Sequence, residues 1–145
     1  VILDCAPSLG REAVSAISAV DEVLIVTNPE LPAVTDALKT IKIVQETNAK
    51  VIGVVVNRVK KRRHELTKEE IEEMLGFPVI AEIPEDKNVP KAIAAKQPVV
   101  VFSPNSPASI EMKKLAAYIA GKSFTPPRKP ITAGLISRLV DWVLS

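Results

Sequence analysis

Apolar positions along this chain follow two periods. Short unbroken runs, such as Val1-Ile2-Leu3, Val23-Leu24-Ile25-Val26 and Val54-Val55-Val56, alternate with stretches whose apolar residues recur three or four apart. Unbroken runs rich in β-branched residues are how strands buried on both faces read. They predict strands at residues 1–4, 22–27, 51–56, 78–83 and 99–102. Helical spacing predicts helices at 11–19, 33–47, 89–96 and 108–120, the second with Val34, Leu38, Ile41 and Val44 on one face. Another helix is bounded by local chemistry. Thr67 with Glu70 three residues on forms a capping box, and Gly76 stops the helix after Leu75.

Punctuation between the runs agrees with this order. Asn28-Pro29-Glu30-Leu31-Pro32 contains two prolines and is expected to break regular structure. Strands alternating with helices predict an α/β fold, a parallel sheet with helices on both faces. Residues 1–121 form that domain. Residues 122–130 hold three prolines without periodicity and read as a semi-rigid tether. Residues 131–145 read as a separate amphipathic helix. At ~100° per residue, Gly134, Ser137, Arg138, Asp141 and Ser145 share a narrow polar arc, while Ile131, Leu135, Ile136, Leu139, Trp142 and Val143 lie in the wide apolar remainder.

Composition narrows the function classes. With 145 residues and 47% apolar content the chain can build one real core, and with 3% aromatics that core is aliphatic. Few aromatics also argue against single-strand nucleic-acid binding by base stacking. A net charge of +2 does not imply a polyanionic partner. Cys5 is the single cysteine, which excludes an internal disulfide and any soft-metal ligand set. No run reaches the roughly 18 apolar residues of a membrane-spanning helix. The N-terminus has neither the basic flank nor the cleavage site of a signal peptide.

Candidate chemistry lies where strands end. Asp4 ends the first predicted strand, Asn57 the third and Pro84-Glu85 the fourth, so all three should emerge at the C-terminal edge of one sheet, where ligands bind in open α/β folds. Taken singly, Asp4 and Asn57 also fit turn or cap residues.

In this order, Val1-Ile2-Leu3-Asp4-Cys5-Ala6-Pro7-Ser8-Leu9-Gly10, Thr27-Asn28-Pro29-Glu30 with Val34-Thr35-Asp36, Val55-Val56-Asn57-Arg58 and Ile83-Pro84-Glu85-Asp86 resemble segments of the MinD/ParA family of P-loop ATPases, most closely its archaeal MinD-type branch. The resemblance covers residues 1 to about 121. It implies ATP and Mg²⁺ as cofactors, with Asp4 in the Mg²⁺ shell through water. Asn57 would bond the adenine edge, with Pro84 and Glu85 walling the base. Glu30 would reach the nucleotide of a partner subunit in an ATP-bound homodimer, and Asp36 would lie at the dimer and regulator surface. Ala6-Pro7-Ser8 departs from the Pro-Ala-Gly usual in MinD, and Pro7-Ser8-Leu9-Gly10 is closer to ParA.

No Gly-rich loop followed by Lys-Ser/Thr occurs; Gly10, Gly53, Gly76, Gly121 and Gly134 are isolated. The chain is therefore expected to be the C-terminal part of such an ATPase, without a catalytic lysine and inactive alone. The resemblance also implies a membrane role for residues 131–145, since bacterial MinD proteins end in a membrane-targeting helix. Arg128 and Lys129 just before it suit anionic headgroups. The basic run Lys60-Lys61-Arg62-Arg63-His64 reads first as a solvated loop, and second as a contact for DNA phosphates or anionic lipid.

The expected protein is a MinD-like ATPase that positions cellular machinery. It would be cytoplasmic, peripheral at the inner face of the cell membrane, and would work with a regulatory protein partner. Two alternatives stand beside it. One is a ParA-like partition ATPase that binds DNA. The other is a non-catalytic regulator or scaffold.

Overall fold

A computed structural model of the chain describes residues 1–5 and 10–126. The predicted tether beyond residue 126 and the apolar helix of Ile131, Leu135, Ile136, Leu139, Trp142 and Val143 lie outside the described residues, as does the turn at 6–9.

Among the described residues three strands form one sheet, β1 (Glu22–Thr27), β2 (Lys50–Val59) and β3 (Val79–Pro84), in the order β1-β2-β3. Both pairings are parallel, so each connection must cross over the sheet, and helices make the crossings. These are α2 (Leu31–Gln45) between β1 and β2, and α3 (Lys68–Leu75) between β2 and β3. Around them stand α1 (Arg11–Ser18), α4 (Asn88–Ala94), α5 (Val99–Phe102) and α6 (Pro107–Ile119).

Alternation along β2 divides the core into two layers. Val54 and Val56 face one way and pack with Ile25, Val34, Ile41, Ile71 and Leu75 beneath α2 and α3. Val55 faces the other way, with Ile83 and Ala108 beneath α6. The expected sheet with helices on both faces is thus present. Val34 and Val54 are fully buried and Ile41 is 1% exposed. Full burial of each such side chain is worth roughly 1.5–3 kcal/mol.

At Gly53 strands β2 and β3 approach closely. The β1–β2 register shifts beside it, since Val23 pairs with Val51 but Leu24 with Gly53. Its φ is +153°, and a Cβ there would stand 2.7 Å from Ile80 Cγ2. Glycine is the residue that permits both.

The capping box of α3 forms as expected. Thr67 Oγ1 accepts from Glu70 N, Glu70 Oε2 accepts from Thr67 N, and Gly76 closes the helix in the left-handed conformation at φ +71°.

Three expectations are corrected. Residues 99–102 are not a strand but the single helical turn α5. Pro98 O accepts from Val101 N and Phe102 N at 2.9 Å, and Ser103 N donates to Val99 O at 2.8 Å. A short β-branched run between Pro98 and Pro104 closes on itself here, because these local bonds outweigh β propensity. Residues 1–4 are also not a strand; Val1 and Ile2 are fully exposed. A strand exists only by pairing, and no described strand pairs with them. Finally, Pro32 does not break structure. It sits in the first turn of α2, where its missing N–H costs nothing, and Pro29 alone makes the break.

Candidate functional site

Parallel pairing brings the strand ends level. Thr27 is in register with Val56 and Val59 with Pro84, so the Asn28-Pro29 turn, Asn57-Arg58 and Pro84-Glu85 share one edge of the sheet. The ladder between β2 and β3 is interrupted from Val56 to Val59, and Arg58 adopts φ +60° there. Asn57 stabilises this turn of the backbone, its Oδ1 accepting from Arg58 N at 2.9 Å. Its amide nitrogen remains available to an acceptor, and the residue is half-buried.

The ends of β2 and β3 are then locked together. Glu85 N donates to Val59 O at 3.0 Å, the last backbone bond across the two strands. Arg58 Nε donates to Glu85 Oε2 at 3.2 Å, and Lys60 Nζ stands 3.8 Å from Glu85 Oε1. The Glu85 carboxylate therefore holds two cations, and Pro84 beside it is half-buried.

The basic run is an ordered turn. Lys61 has φ +57°, and Lys60 N donates to Glu65 Oε2 at 2.9 Å. Desolvation acts to raise the Glu65 pKa, but backbone N–H groups of Lys60, Arg62 and Lys61, with the charge of His64, outweigh it and hold the carboxyl below its ordinary value. Leu66 N donates to Pro29 O at 2.8 Å, tying this turn to the end of β1. Lys61, Arg62 and Arg63 are exposed and form no salt bridge among the described residues.

The other predicted site residues make no contact with the Asn57–Glu85 cluster among the interactions of the described residues. Glu30 is exposed and caps α2 through its backbone position, with no side-chain cap bond. Asp36 is exposed on α2 and pairs with Lys39 at 2.8 Å. Asp4 is exposed in irregular chain, not on a strand end. No group of three or more His, Cys, Asp or Glu among the described residues could hold a metal ion.

One residue of the edge was quoted in a motif without being assigned a role. Asp86, 9% exposed, accepts on Oδ1 from Asn88 N at 2.8 Å and Asn88 Nδ2 at 2.9 Å, and on Oδ2 from Ala108 N at 3.2 Å. Burial pushes its pKa up, but hydrogen bonds from Asn88, Ser106 and Ala108 prevail and leave it lowered. The sequence signal was an aspartate two residues after a strand and two residues before a helical run, close to the ordinary setting of a cap.

Comparison with known proteins agrees with this fold. A family model of the CobQ/CobB/MinD/ParA nucleotide binding domain matches residues 7–99. An uncharacterised ATP-binding protein of Methanocaldococcus jannaschii is 37% identical over 140 residues, 97% of this chain and 53% of that protein. The cell division ATPase MinD of Pyrococcus furiosus superposes with a TM-score of 0.75 at 30% identity, over 81% of this chain and 50% of that one. The septum site-determining protein MinD of Pyrococcus horikoshii, complexed with Mg-ADP, superposes with a TM-score of 0.75 at 28% identity, over 80% and 48%. The chain spans about half the length of the curated relatives it matches.

Proposed function

This chain belongs to the CobQ/CobB/MinD/ParA nucleotide-binding family, and from that premise we propose that it supplies the base-binding half of a MinD-like ATPase. The observation that carries the reading is the locked edge of β2 and β3, where Asn57 lies in the interrupted stretch between Val56 and Val59 and Pro84 pairs with Val59. Asn57 offers an amide donor to a purine ring acceptor, and Pro84 offers an apolar wall with few degrees of freedom. The half-buried setting excludes part of the water that would compete for these contacts. In this reading the Arg58–Glu85–Lys60 cluster fixes the wall, and the Glu85 carboxylate acts by holding cations.

ATP would bring the scissile phosphate. Mg²⁺ keeps several waters and takes one or two carboxylates plus substrate phosphates, so the single carboxylate of Asp4 suits its donor pattern. Glu30, at the neighbouring strand end, would face a second subunit across a nucleotide-bound homodimer. Asp36 lies further along α2, on an exposed position suited to a regulatory partner. Residues 131–145 would bind the cytoplasmic face of the membrane reversibly, mainly by apolar insertion. Dimerisation would double the anchors.

The exposed cations Lys61, Arg62 and Arg63 favour one second reading, a partition-type ATPase using DNA as its surface. Two assays on the full-length protein separate the readings. Vesicle flotation with anionic lipid should depend on residues 131–145, and DNA retention should be weak in 0.15 M salt. Flotation unaffected by deleting 131–145 refutes the membrane role, and DNA binding lost in a K61E/R62E/R63E variant supports the alternative. For the base edge, Asn57→Ala should weaken ADP binding about tenfold, the loss of roughly 1.4 kcal/mol.

A further inference from the structure

We propose that Asp86 is a positioning residue for the base edge, its carboxylate fixing the Pro84-Glu85 turn against the starts of α4 and α6. The proposal rests on the reading of Asn57 and Pro84 as base-contacting residues.

The last backbone bond between β2 and β3 is the one from Glu85 N to Val59 O. Beyond it the chain turns away from the sheet, and the ladder no longer determines where the turn stands. Asp86 takes over that task with both of its oxygens. Oδ1 is committed to Asn88, at the start of α4, through a backbone and a side-chain donor at 2.8 and 2.9 Å. Oδ2 is committed to Ala108 N, 22 residues away in the first turn of α6, at 3.2 Å. Val89 N adds a bond to the Asp86 carbonyl at 3.0 Å.

The network continues inward. Ser106 and Ser109 are 6% and 0% exposed; their hydroxyl oxygens are 3.1 Å apart, and Ser109 Oγ donates to Val99 O at 3.0 Å. The anchor beneath the turn is therefore α5 and α6, the buried layer that also carries Ile83 and Ala108. Among the described residues no buried side-chain polar atom lacks a partner, so this cluster is complete as it stands.

Chemistry makes the aspartate specific. A carboxylate presents acceptors on both oxygens, and each faces a backbone N–H. An amide has one acceptor and one donor, so Asn at this position must oppose an NH₂ to a backbone N–H in either orientation. The turn must then shift, and Pro84 and Glu85 shift with it. The phosphate end of a nucleotide has no contact with this turn in the proposed arrangement. Loss of Asp86 should therefore act on the base and spare the phosphates.

The test measures ADP and inorganic tripolyphosphate binding to the full-length protein by calorimetry, in the wild type and in D86N, N88A and N57A. The expected result is an ADP affinity about tenfold weaker in D86N, with tripolyphosphate affinity changed less than about twofold. N88A, which removes only the side-chain donor, should weaken ADP about two- to threefold with the same selectivity. If D86N does not fold, N88A decides. Equal losses for ADP and tripolyphosphate, or an unchanged ADP affinity, overturn the proposal. If N57A weakens ADP while D86N and N88A do not, Asp86 alone is refuted. If N57A leaves ADP binding unchanged, the base-edge reading fails and takes this proposal with it.

Discussion

The two ends of the candidate site are built very differently. At the β2–β3 end, Asn57, Arg58, Glu85 and Asp86 are held by backbone pairing, ion pairs and a buried carboxylate that reaches the start of α6. At the Asp4 end, Val1, Ile2, Leu3 and Asp4 are exposed and belong to no strand. Both stretches carry a similar apolar-then-polar pattern, yet among the described residues only one of them has neighbours to pair with. Apolar character is thus not what makes a strand in a parallel sheet. A partner on at least one side is required, and it sets where the polar residue at the strand end will point.

Substitutions in the built half should cost most. Ile41→Ala, beneath β1 and β2, should destabilise by about 3 kcal/mol, because a 1%-exposed side chain leaves a cavity. Urea unfolding measures this as a lower midpoint with unchanged slope.

Asp86→Asn should cost about 2 kcal/mol near neutral pH, the scale of a hydrogen-bonded buried charge. The folded pKa is lowered, so the contribution is present above the unfolded value of ~4 and is lost as pH falls through the folded one. The gap between wild type and variant in urea midpoints should narrow as pH is taken below ~4. A gap constant down to pH 2 contradicts the assignment.

Gly53→Ala should cost about 1–2 kcal/mol, since the added Cβ meets Ile80 at 2.7 Å in a backbone conformation that side chains disfavour. A thermal midpoint equal to wild type would mean β2 and β3 can separate without penalty.

The smallest effects sharpen the contrast. Arg58→Ala removes an exposed ion pair and should cost under about 1 kcal/mol. Leu3→Ala and Asp4→Ala should each change stability by less than about 0.5 kcal/mol in this chain. A large loss at Leu3 would show that the N-terminal segment is packed in solution, and the contrast would disappear.

The same contrast explains what the sequence made legible. The Thr67–Glu70 box and the Gly76 stop could be read directly, because each is set by residues within a few positions. The convergence of Asn57 with Pro84 followed from alternating strands and helices, since parallel order alone brings those ends to one edge. Val99–Phe102 was misread because its β-branched composition says strand, while Pro98 and Ser109 make it a helical turn. Residues 1–4 were misread because pairing is non-local. Asp86 went unassigned because one of its partners, Ala108, is 22 residues away and donates through its backbone, which leaves no mark on side-chain type.

Everything proposed for the site turns on whether the β2–β3 edge receives the base of a nucleotide. A crystal structure of the full-length protein with Mg-ADP tests it most directly. The adenine ring should lie within hydrogen-bonding distance of the Asn57 side chain and in van der Waals contact with Pro84. An adenine ring bound elsewhere, with both residues open to solvent, would contradict it.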